Sequence, residues 1–309
     1  MALDAAHAMA AASRAEHPTV PVVQADLADL PFGRATFSGV WASKAHQHLP
    51  ASDLPASLAE VHRILVGGGR LHLTMFGGPH LGPHGHREEV SAPGSGDDLP
   101  GRLFTWWEPQ RLSDVVEAAG FEVHAVAADV PTGDVPHPHI HVTARAHQRL
   151  PDHVAADMRL LCCGLNPSVR AADAGVGYVT GSNRFWPALA AAGLATRDRD
   201  PRHLLRHHRI GMTDLVKRAT PRAAELSSGE YREGFERLRS LCEWLRPENL
   251  AVVGLAGWRA AVDRKAAVGW QPDRLGGVPV YLLPSTSGLN ARVSLDELSR
   301  HLRAAASCP

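Results

Sequence analysis

The chain has 309 residues, room for about two domains at ~100–200 residues each, and its 44% hydrophobic and 21% charged residues are an ordinary globular balance. No uninterrupted apolar run approaches the ~18–20 residues that span a bilayer. The N-terminal MALDAAHAMAAASRAEHP lacks a basic stretch ahead of an apolar core, and Cys162, Cys163, Cys242 and Cys308 show no CxxC spacing. These features argue against a membrane protein, a secreted disulfide scaffold, a zinc ribbon or an iron–sulfur site, and for a reduced, cytoplasmic protein. The formal net charge of zero hides an asymmetry: residues 1–149 hold 10 Lys and Arg against 16 Asp and Glu (−6), and residues 150–309 hold 22 against 16 (+6). The basic half is the better candidate for nucleic acid.

In chain order, PVVQADL and SGVWASK read as strands, LPASLAEVHRIL as an amphipathic helix, and GGGRLHLTMF as a glycine turn entering a strand. EPQRLSDVVEAAGF is a helix ending at Gly120, and EVHAVAADV and HIHVTA are strands. The polar ARAHQRLPDHVAAD, from Ala144 to Asp157, breaks the pattern and sets a domain boundary near residue 150. Beyond it, MRLLCCGL is a strand, NRFWPALAAAGL a helix closed by Gly193, and RIGMTDLV a short strand with a polar exit. YREGFERLRSLCEWLRP is a long helix stopped by Pro247. NLAVVGL, GWRAAVDRK, VPVYLLPS and SLDELSRHLRAAA then alternate strand and helix. The expected fold class is α/β, as two consecutive three-layer α/β domains, residues 1–149 and 150–309, the second with a central parallel sheet. In open parallel sheets function collects beyond the carboxyl ends of the strands, where GLNPS, GMTDLVKR and PSTSGLNAR stand.

In the first half, VVQADLADLPFGRATFSGVWAS and LAEVHRILVGGGRLHLTMF resemble class I S-adenosylmethionine-dependent methyltransferases over about residues 2–147. The resemblance implies a Rossmann-like fold in which Asp4 binds the cofactor ribose, Asp26 with Leu27 beside it contacts adenine, and the segment around Trp41–Ala45 borders the methyl donor. The family's first strand and GxGxG loop would precede Asp4, whereas the sequence starts at Met1. This half is therefore expected to be truncated, with weak or no binding of S-adenosylmethionine: a vestigial site, or one whose true start lies upstream. The histidines of PHLGPHGH and HPHIH have neither helical i, i+4 spacing nor paired cysteines, so they read as solvated loop residues and no metal site is expected.

In the second half three loops in order, GLNPS (164–168), GSNRFWPAL (181–189) and LPSTSGLNARVSL (283–295), resemble the mismatch-specific uracil/thymine DNA glycosylases of the uracil-DNA glycosylase superfamily, over residues 158–303. The resemblance implies a base pocket built from Gly164, Leu165, Pro167, Ser168, Tyr178 and Asn183, with Asn166 positioning the attacking water and Tyr178 stacking on the flipped base. It also implies a wedge and backbone loop of Ser287, Gly288, Leu289, Asn290 and Arg292. Leu289 would fill the hole left by the flipped base, Asn290 reach the opposite strand and Arg292 a phosphate. On the residues alone, Asn166 equally caps a turn before Pro167, Tyr178 is an ordinary loop tyrosine, and Asn183 caps the following helix. Ser168 replaces the family's usual glycine and either narrows the pocket or tolerates the same turn.

Asp214 is not assigned by the resemblance. At a predicted strand exit facing the same edge as Asn166, its carboxylate either shares catalysis by activating water or stabilising the sugar cation, or forms a surface ion pair with Lys217, Arg218 or another nearby base. The expected activity is a monofunctional DNA N-glycosylase that removes uracil, and thymine or other modified pyrimidines, from G·U and G·T mismatches. It would act as a monomer on double-stranded DNA, with no membrane and no cofactor for the glycosylase. The alternatives are an S-adenosylmethionine-dependent methyltransferase whose C-terminal half targets DNA, and a non-catalytic lesion-binding module.

Overall fold

The computed structural model describes residues 1–309 except 79–80, 93–100, 130–137, 291 and 308–309, which places His80, His137 and Cys308 outside the described residues. The chain divides into two compact units, one formed by residues 1–117 and 121–146, the other by residues 118–120 and 147–309.

The first unit opens with β1 (Ala2–Asp4), α1 (His7–Glu16) and β2 (Val22–Gln24). β1 and β2 pair in parallel as a sheet of their own. Then come β3 (Phe37–Ser43), α2 (Leu54–Ile64), β4 (Leu65–Gly77), β5 (His86–Val90), β6 (Leu103–Trp107), α3 (Pro109–Ala118), β7 (Phe121–Ala128) and β8 (His139–Ala146). The 13-residue β4 is the spine. β8 lies antiparallel along one edge, and β3 and then β6 lie parallel along the other. Alternate residues of β4 and β8 explain the core: Leu71, Leu73, Met75, Ile140, Val142 and Ala144 are all fully buried. The expected glycine turn is part of β4 itself, with Gly68 at φ 76° taking the one sharp bend that a side chain disfavours. The HPHIH histidines differ from the expectation of solvated loops. His139 and His141 stand on β8, and both face Asp129, at 3.3 and 3.1 Å. Period-2 alternation puts these polar residues on the face opposite Ile140 and Val142.

The second unit runs β9 (Leu160–Gly164), α4 (Val169–Ala174), α5 (Phe185–Ala191), α6 (Pro201–His208), β10 (Ile210–Asp214), α7 (Ser228–Leu245), β11 (Leu250–Val253), α8 (Ala256–Ala261), β12 (Gly269–Leu275), β13 (Val278–Leu283) and α9 (Leu295–Ala305). The sheet order is β10-β9-β11-β13-β12, parallel except for β12. β9 is buried over its whole length, as a parallel strand covered on both faces must be. Leu160 and Cys162 point into a cluster with Phe185, Trp186 and Leu189 of α5, Leu204 of α6 and Leu298 and Leu302 of α9. On the opposite face α7 supplies Phe235, Leu238 and Leu241, and Phe235 meets Trp258 of α8 edge to face at 5.5 Å. The result is three layers. A reciprocal capping box of Ser227 and Glu230 starts α7. The polar segment at the expected boundary is buried within this unit: Leu150, Asp152 and Val154 are 6%, 1% and 0% exposed, and His153 pairs with Met212 of edge strand β10.

Candidate active site of the second unit

Two neighbouring strand exits build the site. In the β9–β10 ladder Gly164 is the register partner of Asp214. The pairing does not stop there: Leu215 N–H donates to the Gly164 carbonyl (2.9 Å), Val216 to Leu165 (2.9 Å) and Thr220 to Pro167 (3.1 Å). The loops 164–168 and 214–220 therefore leave the sheet side by side and carry Asn166 and Asp214 on one hydrogen-bonded frame.

Asn166 is half-buried, and its amide nitrogen is fully used. Nδ2 donates to the carbonyls of Pro167 (3.2 Å) and Arg218 (3.1 Å) and to Thr220 Oγ1 (2.7 Å). Two of these partners are carbonyl oxygens that can only accept, which fixes which end of the amide is nitrogen. The side-chain oxygen then has no hydrogen-bond donor among the described residues.

Asp214 is 7% exposed. Burial pushes its carboxyl up to about 6, Asp152 adds to the rise, and Lys217 and Arg237 oppose it. The surface ion pair considered for it does not form. Lys217 Nζ goes to Asp152 Oδ1 (2.7 Å) and to the Leu150 carbonyl, and Arg218 goes to Glu230 (2.7 Å). Asp214 packs directly over Gly164, where a Cβ would collide with Asp214 Oδ1 and stand 2.8 Å from the Tyr178 hydroxyl oxygen. The glycine of GLNPS is thus required by close approach.

Tyr178 adopts φ 58° and lays its ring against Phe185, with centroids 4.0 Å apart and planes 22° from parallel. Its hydroxyl is buried with no hydrogen-bond partner among the described residues, and burial, then the Asp214 charge, raises its pKa well above the ordinary value. It is a wall of the site and not a loose surface tyrosine. With Asp214, His153, Thr213 and Met212 it lines a cavity of about 10 Å³, the scale of one water molecule.

The remaining predicted residues hold the surrounding turns. Ser168 Oγ accepts from Ala171 N–H and caps α4. Asn183 Oδ1 accepts from Phe185 N–H (3.0 Å) at the start of α5. Leu165 and Pro167 line the frame between the two exits, each giving its carbonyl to the paired loop. The third loop stands out from the sheet. Leu289 is 97% exposed, and the Asn290 amide donates to the Ser285 carbonyl at 3.0 Å. Arg292 is exposed. Gly288 approaches α5's leader so closely that a Cβ would stand 2.6 Å from Ser182 Cβ.

Arg184 and Asp152 were not foreseen. Arg184 donates to the carbonyls of Ser287 (3.4 Å), Asn290 (2.6 Å) and Val293, and its own N–H donates to Thr286 (2.9 Å). One guanidinium therefore shapes the loop that presents Leu289. The signal was NRFW, but an arginine whose partners are all backbone leaves no trace in spacing.

A sequence model of the Uracil DNA glycosylase superfamily matches residues 151–306. The chain belongs to the uracil DNA glycosylase superfamily. This glycosylase is accordingly a hydrolase with DNA as its substrate. A second sequence model, for a methyltransferase domain, matches residues 1–73. Among solved structures the glycosylase chain is similar to 1,6-didemethyltoxoflavin-N1-methyltransferase from Burkholderia thailandensis, at 18% identity over 47% of this chain and 70% of that one, with a TM-score of 0.36. It is also similar to an S-adenosylmethionine-dependent methyltransferase from Methanosarcina mazei (14% identity, 47% and 80% coverage, TM-score 0.40) and to one from Mesorhizobium loti (18%, 46% and 78%, 0.37).

The sequence resemblance to S-adenosylmethionine-dependent methyltransferases carries the expectation of a cofactor site in the first unit. Asp4 and Asp26 stand at or just past the ends of the paired parallel strands β1 and β2. Each spends Oδ1 on the backbone N–H two residues on, Ala6 and Ala28, both at 2.8 Å. The Leu27 carbonyl accepts from Ser57 (3.1 Å). The second carboxylate oxygens fit the hydroxyls of a ribose and the donor edge of an adenine, so these residues would hold the adenosine part, and the cofactor would supply a methyl group when bound. Trp41, on β3, is 77% exposed. Among the described residues no helix is long and apolar enough to cross a membrane, and no group of three or more His, Cys, Asp and Glu is arranged to hold a metal ion.

Proposed function

We propose that residues 150–309 form a monofunctional DNA N-glycosylase that excises uracil, and thymine or related modified pyrimidines, opposite guanine. Residues 1–149 are then a methyltransferase-like domain with a vestigial cofactor site. The observation that carries this reading is the Asn166 amide: its nitrogen is tied by three acceptors and its oxygen is left to hold a water.

The reaction follows from the two strand exits. The target nucleotide leaves the stack, with Leu289 filling its place. The water held by Asn166 Oδ1 attacks the sugar anomeric carbon as the N-glycosidic bond breaks, and the bonding electron pair leaves with the base. The Asp214 carboxylate, ionised above pH about 6, stabilises the positive sugar and takes the water proton. The base anion picks up a proton from solvent, giving free base and an abasic site. Lys217 offers no Schiff-base route, because its ammonium is spent on Asp152 and the Leu150 carbonyl.

The test is excision from a G·U duplex oligonucleotide by the full chain. Strand scission is expected only after alkali treatment. Scission without alkali overturns the monofunctional reading, and no scission after alkali overturns the glycosylase reading of this substrate. Matched assays with G·T and A·U duplexes grade the preference for the opposite base.

A further inference from the structure

Asp152 and the two cations that bind it have no part in the reaction as written, yet they form a closely bonded group of charges beside Asp214. Asp152 enters from the segment ahead of β9, alongside edge strand β10. At 1% exposure it accepts from Lys217 Nζ (2.7 Å), Arg237 Nη1 (2.8 Å) and the Thr213 hydroxyl (2.6 Å). Arg237 of α7 also donates through Nη2 to Thr213 Oγ1 (2.9 Å) and to the Asp214 carbonyl. Two other stretches of chain, the segment ahead of β9 and α7, are thereby tied to the stretch that carries Asp214.

The charges add up in a telling way. Lys217 and Arg237 bring two positive charges and Asp152 one negative, so the buried group is neutral only when Asp214 is ionised. Burial works against the Asp152 charge, but Lys217 and Arg237 overcome it and hold that carboxyl below its ordinary range. Two other titratable groups facing Asp214 carry no balancing charge. Cys163 of β9 and Tyr178 are both pushed upward, by burial first, and stay neutral at working pH. His153 lines the same small cavity. A single carboxylate buried without any such support would give up its charge.

We propose that Lys217 and Arg237, held in place by Asp152, are positioning residues whose charges keep the Asp214 carboxylate ionised for the reaction. This rests on the reading of Asp214 as a catalytic carboxylate.

The experiment is the pH dependence of single-turnover uracil excision from a G·U duplex by the full chain. Wild type loses rate as pH falls through about 6. Lys217→Met removes a cation, so the acidic limb moves up by about one pH unit, a rate near pH 5 about tenfold below wild type with little change at pH 9. Asp152→Asn removes a like charge and moves the limb down. Lys217→Arg keeps the charge and restores the wild-type limb. In an Asp214→Asn background the limb is absent and Lys217→Met moves nothing. Should Asp152→Asn fail to fold, the Lys217→Met and Lys217→Arg pair decides alone. Lys217→Met slowing the reaction equally at every pH makes the cluster a structural tie and overturns the proposal. A separate outcome, in which Asp214→Asn keeps both rate and limb, overturns the reading of Asp214 on which it rests.

Discussion

Asp214 is a costly residue to keep. Its carboxyl is raised to about 6 when folded, against about 3.9 unfolded. Between those values the folded state binds the proton more tightly. The stabilisation is fully present below the unfolded value and is lost as pH rises through the folded one. Asp214→Asn is therefore expected to stabilise the protein at pH 8 by about 2–3 kcal/mol, while excision slows. The gain should fade toward pH 4. Thermal melts of the two proteins at pH 4 and pH 8 check this, and equal melting shifts at both pH values would contradict it. A residue that weakens the fold where the enzyme works suits a site selected for chemistry. Glycine-then-Asn at the β9 exit was legible because GLNP carries backbone requirements in its residue types. Asp214 was legible only as a polar residue at a strand end. Asp152 was illegible, since a charge in a polar stretch reads as solvated until the fold shows the cations gathered round it.

At the scale of elements, the proposed wedge loop depends on α5's leader. Arg184 holds three of the loop's carbonyls, and Gly288 packs against Ser182. Leu289→Ala removes a side chain that is 97% exposed, so stability should stay within about 0.5 kcal/mol while duplex excision falls. Arg184→Met should lower duplex excision at least as much and also destabilise the fold by about 1–3 kcal/mol, because three partly buried carbonyls lose their donor. Denaturant titration beside the duplex assay separates the two variants; equal stability loss in both would refute the clamp. The strands and long helices of the second unit were readable because strong periodicity and punctuation agree: β9 ends at Gly164, α5 is followed by Gly193 at φ 73°, and α7 precedes Pro247. β12 was missed because its polar GWQPDRL lacks alternation, although Gly276 and Gly277, both at positive φ, mark the hairpin turn into β13. α4 and α6, of six and eight residues, are too short for a helical period to stand out.

For the whole molecule, the two units pose different questions. β1 and β2 pair over three residues each and, among the described residues, join no other strand. A two-stranded sheet is marginal by itself, and Asp4 and Asp26 each spend one oxygen on their own turn. Calorimetric titration of the full chain with S-adenosylmethionine should give a Kd no tighter than about 1 mM; micromolar binding would overturn the vestigial reading. The opposite charge balance of the two halves was visible in composition, and it agrees with a DNA-directed second half. Composition could not show where that charge is spent, since Lys217 and Arg237 are turned inward on Asp152 and Arg218 pairs with Glu230 at the surface.

The seam between Arg184, Ser182 and the 287–293 loop has a thermodynamic consequence. A loop that must be ordered by its ligand subtracts that ordering entropy from affinity. The Ser287 and Asn290 carbonyls are already held by Arg184, so in the proposed wedge role the backbone around Leu289 would meet DNA as a shaped probe. Most of the affinity then remains for bending the duplex and drawing out the base. Discrimination between mispaired and paired bases would reside in how readily each pair opens, with the protein contributing a fixed, sequence-blind test of that readiness.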